Sequence, residues 1–317
     1  MTQDNFSPWD YASMIESAPR RKAYAEALKR HITPGCTVID IGTGTGFFAN
    51  LACKLGAGRV VAIEPNDVID IAVKIAKANG YAEKIEFYHG LSTDYVADIK
   101  ADVIISDLRG AIPIYKNHIP VIVDAKKRLL ATDGVLIPKS DTVHIALAQL
   151  NNSYNIYETY TKPNDLGLDL SAGHESLINS PIAIRSHPEH LVSEPQIFAE
   201  LDYRNITSPD VMNEHVFKVS KPLVSHGFLL WFDAEIDDGL TFSNAPDMTV
   251  KQYRSQFFPF EHALELAPYH NVTIKLRAKF INGNYIWSWN TSVLRAGVDK
   301  PEDAYKQSTF LGGALRR

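Results

Sequence analysis

A glycine-rich segment with a carboxylate on either side is the first candidate for binding chemistry. The segment Asp40-Ile41-Gly42-Thr43-Gly44-Thr45-Gly46 follows an apolar run typical of a buried strand and precedes residues 47–55, which have the pattern of a helix. Because glycine has no Cβ, a ligand can approach this backbone closely. Glu64 ends the next apolar run, at the spacing of an acid that binds two ribose hydroxyls. The pattern favours an adenosine-type cofactor over an ordinary glycine-rich turn with a solvated Glu64.

A second candidate is an apolar run that ends abruptly in charged residues. Val103-Ile104-Ile105 is followed by Ser106-Asp107-Leu108-Arg109-Gly110. Ligands of open α/β sheets bind at the carboxyl ends of the strands, which favours a reaction site here over a solvated ion pair. We expect Asp107 to orient an acceptor or to take its proton.

The elements that position these residues follow from hydrophobic periodicity. Strands alternate with helices up to about residue 148, which predicts a parallel sheet with helices on both faces. Residues 8–30 read as one basic helical segment, and Asp67 is expected to cap a helix over 68–78. From residue 150 onward, short alternating runs such as Val272–Phe280 predict antiparallel strands, with a hairpin turn at Asn282-Gly283.

Composition excludes several classes of protein. The chain has 317 residues and a formal net charge of −5, which argues against a nucleic-acid partner. It lacks a run of the ~20 apolar residues that a membrane span needs, and its first residues do not resemble a signal peptide. Two cysteines, Cys36 and Cys53, are too few for a disulfide framework or a metal cluster. We therefore expect a cytoplasmic protein with no metal and no membrane partner.

The glycine loop resembles motif I of the class I methyltransferases that bind S-adenosylmethionine (SAM), because its glycines are evenly spaced and an acid precedes them. Four longer runs resemble the protein arginine methyltransferases, and they are Val38–Asn66, Ala72–Asn79, Ile104–Gly110 and Leu130–Pro138. Weaker similarity continues through Phe242–Pro246 and Gln256–Phe260.

The resemblance implies an α/β fold in three parts. Residues 1–30 form a helical segment over the cofactor, residues 31–148 a Rossmann-like, seven-stranded SAM-binding domain, and residues 149–317 an antiparallel, β-barrel-like domain for substrate binding and dimerisation. It also implies a homodimer, for which residues 151–180 are a candidate arm.

The resemblance also implies which residues bind SAM. Arg20 would pair with the SAM carboxylate, Asp40 and Gly42 would lie at its amino-acid part, and Glu64 would hold the ribose. The full predicted cofactor set is Tyr11, Met14, Arg20, Asp40, Gly42, Thr43, Gly44, Gly46, Glu64, Pro65, Ser92, Thr93 and Asp107. The predicted catalytic set is Asp107, Arg109 and Tyr253, although the position of Tyr253 favours core or interface packing over a place in the acceptor pocket.

The acceptor site departs from the family pattern. Arginine methyltransferases hold the guanidinium with two glutamates; the first matches Asp107, but the second falls at Lys116, and the Thr-His-Trp loop falls near Gln252-Tyr253-Arg254. A guanidinium is always charged and needs paired carboxylates when it is buried. With Arg109 and Lys116 beside Asp107, the loop suits an acceptor that carries its own negative charge.

The sequence therefore predicts a SAM-dependent methyltransferase that acts on a nitrogen or oxygen nucleophile of a small molecule or peptide. Arginine methylation, with a second acid such as Glu261, is an alternative. A non-catalytic SAM-binding module is another.

Overall fold

The computed structural model describes residues 7–150, 159–161, 165–246 and 253–312. Its α-helices are α1 (Pro8–Glu16), α2 (Ala18–His31), α3 (Phe47–Leu55), α4 (Ile69–Ala78), α5 (His118–Arg128), α6 (His174–Ile178) and α7 (Thr309–Gly312). Its strands are β1 (Thr37–Ile41), β2 (Arg59–Glu64), β3 (Ile85–His89), β4 (Ala101–Ser106), β5 (Leu130–Ile137), β6 (Ser140–Ala148), β7 (Ile182–Ile184), β8 (Gln196–Asp202), β9 (Val211–Lys218), β10 (Leu223–Asp237), β11 (Leu240–Ser243), β12 (Ser255–Leu266), β13 (Asn271–Ile281), β14 (Asn284–Leu294) and β15 (Glu302–Ser308).

The parallel sheet places both candidate segments at one point. Its order is β3-β2-β1-β4-β5, so the strand order reverses at β1, and Ile41 lies beside Ser106 in the β1–β4 register. The glycine loop and Asp107 therefore leave the sheet side by side, at the switch point where open sheets bind ligands. The sheet has five strands in the described residues rather than the predicted seven, because the chain turns after β5 and β6 pairs with β10 and β8 instead.

The predicted helical segment over residues 8–30 is two helices. The break falls at Ser17, because Pro19 in the first turn of α2 has no N–H to continue α1. Helix α2 buries Arg20, Tyr24, Ala27 and Leu28, whereas α1 buries no residue. The expected cap of α4 was wrong: the N-cap is Val68, and the side chain of Asp67 is fully exposed.

The second half of the chain is antiparallel, as predicted. One sheet has the order β7-β12-β10-β6-β8, with β11 beside β10, and the other has the order β15-β14-β13-β9. Asn282 and Gly283 form the predicted turn between β13 and β14. Phe258 of β12 contacts Trp287 and Trp289 of β14, with ring centroids 5.1 and 5.3 Å apart, so the two sheets share an apolar interior. One buried core runs from α2 and the parallel sheet into this interior.

Candidate active site

The glycine loop is held tightly against its surroundings. The backbone N–H groups of Gly42 and Thr43 donate to the carbonyl of Ile63, at 2.9 and 3.0 Å. Gly44 has a φ of 56°, and a Cβ there would lie 2.6 Å from the ring of Tyr11. A Cβ on Gly42 would overlap the side chain of Leu108. The loop therefore lies between α1 and the segment that follows β4, with no room for a side chain at either glycine.

Glu64 lies at the end of β2 with its carboxylate turned toward the loop. One oxygen accepts from the Gly44 N–H at 3.0 Å, and the other accepts from the Asn66 side chain at 2.7 Å. Burial raises the pKa of Glu64, while these hydrogen bonds oppose the rise. Pro65 follows it, half-buried. Glu64 therefore lies beside the glycine loop, together with which it is predicted to bind the cofactor.

Asp40 is buried below the same loop. Its carboxylate accepts a hydrogen bond from the Thr43 hydroxyl at 2.7 Å. Burial raises the pKa of Asp40 to about 6, although the hydrogen bond from Thr43 acts in the opposite direction. Gly46, at the end of the loop, is the N-cap of α3, and a Cβ there would lie 2.9 Å from the side chain of Ala72.

The N-terminal helices contribute a buried guanidinium. Arg20 is 8% exposed, and its Nε donates to Asp107 Oδ2 at 2.6 Å. Its Nη1 lies 3.5 Å from the carbonyl of Met14, and the cofactor contact predicted for Met14 stays a prediction. Among the described residues, no hydrogen bond is donated by Nη2 of Arg20, which leaves this nitrogen for another acceptor.

Ser92 and Thr93 lie on the loop between β3 and β4. Arg128 of α5 fixes that loop by donating to the carbonyls of Ser92 and Tyr95, at 2.7 and 2.8 Å. Ser92 is 5% exposed, whereas Thr93 is exposed. The loop is thus ordered beside the end of β3, and the adenine contact predicted for these two residues stays a prediction.

Asp107 is the centre of a buried hydrogen-bond network. One carboxylate oxygen accepts from Arg20 and from the hydroxyl of Tyr253, at 2.6 and 2.7 Å, and the other accepts from Arg109 at 2.9 Å. Burial by itself raises the pKa of Asp107, but the charges of Arg20 and Arg109 hold it well below its usual range. Asp107 is therefore ionised and a weak base.

Arg109 does not face an acceptor in this arrangement. Its side chain has no exposed surface, and it forms a bidentate pair with Asp141 of β6, with N–O distances of 2.7 and 2.8 Å. Nη1 also donates to the Tyr24 hydroxyl at 2.8 Å. Burial lowers the pKa of Arg109, but Asp141 raises it well above its ordinary value. The geometry corrects the expectation that Arg109 binds an acceptor directly, because protein partners hold its guanidinium.

Three further residues complete the network, and sequence reasoning did not find them. Tyr203 donates to Asp141, and His118 shares a hydrogen bond of 2.9 Å with the Tyr203 hydroxyl. Burial lowers the pKa of His118 to about 3, so it is neutral. One signal was present: Asp141 lies on the same face of β6 as Val143 and Ile145, where a charge must have a partner.

The structure places the other residues weighed for the acceptor site differently from one another. Lys116 is half-buried with its ammonium 5.5 Å from the centre of the Tyr115 ring. Glu261, the proposed second acid, is on the exposed face of β12. Tyr253 is within the network, and its ring stacks on Phe242 with centroids 5.8 Å apart.

Comparison with known families gives two overlapping matches. Residues 22–163 match the model of ribosomal protein L11 methyltransferase (PrmA), and residues 139–284 match that of the arginine methyltransferase oligomerization subdomain. The second match starts where the parallel sheet ends and β6 begins, and the two overlap over residues 139–163.

Curated relatives agree with both matches. A probable protein arginine N-methyltransferase 6 of Arabidopsis thaliana is 27% identical over 71% of this chain, which spans 54% of that relative. Protein arginine N-methyltransferase 1 of Dictyostelium discoideum is 24% identical over 81% of the chain and 77% of its own length. An arginine N(omega)-methyltransferase of Streptomyces achromogenes is 25% identical over 86% of the chain and 76% of its own length.

Solved structures show the same fold. Arabidopsis thaliana protein arginine methyltransferase 10 aligns with a TM-score of 0.80 at 21% identity, over 95% of this chain and 97% of its own. A Trypanosoma brucei PRMT1 enzyme–prozyme complex with AdoHcy aligns with a TM-score of 0.81 at 19% identity, over 94% and 96%. Together the family matches, the relatives and the fold support a class I SAM-dependent methyltransferase. Within that class the chain resembles the protein arginine methyltransferases.

The residues present fit SAM. The loop glycines carry no side chain, Glu64 lies beside the loop, and Nη2 of Arg20 donates no hydrogen bond to a described residue. SAM supplies an electrophilic methyl group on a sulfonium. Among the described residues, no helix is both long and apolar enough to cross a membrane.

Proposed function

We propose that this chain transfers the methyl group of SAM to a nitrogen or oxygen nucleophile of a small molecule or peptide. The observation that carries the proposal is the position of Asp107. It ends β4 directly beside the glycine loop, because the neighbouring Leu108 packs on Gly42, and Arg20, Arg109 and Tyr253 hold its carboxylate in place.

In this proposal Asp107 orients the acceptor rather than deprotonating it. Arg20 and Arg109 hold the pKa of Asp107 well below its usual range against the effect of burial, so it is a poor proton acceptor. An ionised carboxylate still accepts a hydrogen bond from an O–H or N–H nucleophile. Methyl transfer depends strongly on alignment, and alignment is what a fixed carboxylate supplies.

The same proposal assigns the cofactor set. Arg20 would hold the SAM carboxylate through Nη2 while Nε stays on Asp107, and Glu64 would accept from the ribose hydroxyls. Tyr253 would fix Asp107 from the antiparallel half of the chain through its 2.7 Å hydrogen bond. Arg109 would be a positioning residue, since it reaches Asp107 but is itself enclosed.

Arginine as the acceptor is a second candidate, and the names of the relatives favour it. The Streptomyces relative, which aligns with 86% of this chain, is named for methylation of arginine. Methyl release measured with a charged guanidinium acceptor and with neutral N and O acceptors separates the two candidates.

The test of the proposed function is the substitution Asp107→Asn in the full chain. We expect turnover, measured as S-adenosylhomocysteine released with a panel of N and O acceptors, to fall about 100-fold, because the acceptor loses its alignment. Binding of S-adenosylhomocysteine should change less than tenfold. Asp133→Asn, at an exposed position of β5, is the matched control and should leave both quantities unchanged.

Unchanged turnover in Asp107→Asn, with cofactor still bound, would remove Asp107 from the mechanism. Cofactor binding without methyl release on any acceptor would favour the non-catalytic SAM-binding module instead.

We also propose that the chain forms a homodimer. The match of residues 139–284 to an oligomerization subdomain supports this. The candidate arm, residues 151–180, lies partly outside the described residues. Light scattering coupled to size exclusion should give twice the monomer mass of 35.3 kDa; a monomer at micromolar concentration would contradict it.

A further inference from the structure

We propose that the Arg109–Asp141 pair makes this site specific for an acceptor whose reacting group is uncharged, and that the pair excludes a guanidinium. The inference rests on the proposed function, because it names the class of substrate taken by the same site.

The charges of the buried network balance before an acceptor binds. Within the part of the chain that the structure describes, the charged side chains joined in this network are Arg20, Arg109, Asp107 and Asp141. Two cations and two carboxylates sum to zero, and His118 adds no charge because it is neutral. Asp107 is therefore already neutralised before an acceptor arrives.

The guanidinium of Arg109 cannot turn away from Asp107. The Asp141 carboxylate accepts hydrogen bonds from Nε and Nη2 of Arg109, and the Tyr24 hydroxyl accepts one from Nη1. The guanidinium carbon also lies 5.6 and 5.9 Å from the ring centroids of Phe232 and Phe242, which enclose it. Asp141 is fixed in turn by Tyr203. Breaking a buried pair of this kind is strongly destabilising, so Arg109 keeps its place beside Asp107.

The charge of the acceptor determines whether it is compatible with this balanced network. A guanidinium at Asp107 would be a third cation against two carboxylates in a buried site, and an unpaired buried charge costs several kcal/mol. An anionic acceptor gains nothing from Arg109 either, because Asp141 holds it. This corrects the expectation of a negatively charged acceptor. A hydroxyl, an amide or a neutral nitrogen adds no charge to the site and can donate a hydrogen bond to Asp107. As the carbon–sulfur bond of SAM breaks and the methyl group joins the nucleophile, S-adenosylhomocysteine leaves and the proton of the nucleophile passes to solvent.

The experiment compares two probes of nearly equal shape. N-acetyl-arginine amide carries the charged guanidinium, and N-acetyl-citrulline amide carries a neutral urea in its place. Both are titrated into the full chain saturated with S-adenosylhomocysteine. In the variant Arg109→Gln, which leaves the two carboxylates Asp107 and Asp141 against the single cation Arg20, we expect the arginine probe to bind at least tenfold more tightly than in the wild type. The citrulline probe should bind equally to both.

Two controls make the result specific. Arg59→Met/Asp98→Asn removes an exposed pair with N–O distances of 2.7 and 2.9 Å and should change neither affinity. The double variant Arg109→Met/Asp141→Asn removes one cation and one carboxylate together, so it keeps the charge balance and should bind the arginine probe as weakly as the wild type. If Arg109→Gln does not fold, Arg109→Met is measured in its place.

Equal or undetectable binding of the arginine probe by wild type and variant would overturn the inference. Methylation of the arginine probe by the wild-type chain would also overturn it, while leaving the proposed methyltransferase function intact. Failure of the proposed function is a different result: no methyl release with any acceptor, charged or neutral.

Discussion

At the scale of single residues, the surroundings of a carboxylate decide its role. Asp107 and Asp40 are both buried at the ends of neighbouring strands, but Asp107 has two guanidinium partners whereas the Thr43 hydroxyl is the side-chain donor to Asp40. The pKa of Asp107 is therefore held below its usual range and that of Asp40 is raised to about 6. Asp107 is therefore fixed as an anion, whereas Asp40 titrates at about pH 6.

Asp40 makes the stability of the fold depend on pH. Its pKa is higher in the folded chain than the ordinary value of 3.8, so the folded state binds the proton more tightly. The stabilisation is complete below about pH 4 and is lost as pH rises through about 6, which amounts to about 2 kcal/mol between about pH 4 and about pH 7. Urea unfolding of wild type and Asp40→Asn across this range should show the loss in the wild type alone. Parallel pH profiles would contradict it.

At the scale of elements, the approach of α1 to the glycine loop couples the N-terminus to the cofactor site. Helix α1 buries none of its residues, yet Tyr11 lies so close to Gly44 that a methyl group would not fit between them. The loop conformation and the position of α1 therefore depend on each other.

Gly44→Ala should weaken cofactor binding, and Gly80→Ala is its matched control. Both glycines have positive φ, 56° and 75°, so each substitution should cost about 1 kcal/mol of backbone strain. A Cβ at Gly80 meets nothing within 4 Å, whereas a Cβ at Gly44 meets the Tyr11 ring. By calorimetric titration, the affinity for S-adenosylhomocysteine should fall at least about tenfold in Gly44→Ala and stay constant in Gly80→Ala. If both variants bound S-adenosylhomocysteine with equal affinity, Gly44 would not be part of the cofactor site.

At the scale of the whole molecule, the Arg109–Asp141 pair joins the two halves of the chain. Arg109 follows a strand of the parallel sheet, and Asp141 belongs to the antiparallel sheet that begins at β6. The continuous apolar core also crosses this boundary, so the charged pair is enclosed where the two sheets meet.

Asp141→Asn should destabilise the whole fold. It removes the bidentate partner of a fully buried guanidinium, which costs about 3 kcal/mol. Replacing both partners, as in Arg109→Met/Asp141→Asn, should recover part of that loss because no buried cation is left without its partner. Asp98→Asn, in an exposed pair, should cost less than about 1 kcal/mol. Chemical unfolding measures all three, and a loss in Asp141→Asn no larger than in Asp98→Asn would show that the pair does not stabilise the fold.

Local patterns in the sequence determined the parallel sheet, the glycine loop, and the position of Glu64 and Asp107 at strand ends. They also indicated a change to antiparallel strands, but after residue 148 rather than at β6 (Ser140–Ala148), where the structure has it. Each follows from periodicity and turn chemistry over a few neighbouring residues. The break at Ser17 was missed because Pro19 at the start of a second helix was read as part of the first.

Only the tertiary structure determined which partners the charged residues have. Arg109 and Asp141 are 32 positions apart, and Asp107 and Tyr253 are 146 apart, so no local pattern pairs them. From the sequence, Arg109 and Lys116 beside Asp107 suggested an anionic acceptor. The fold turns Arg109 inward to Asp141 instead, because a cation buried between two sheets must meet a carboxylate, and that leaves Asp107 neutralised.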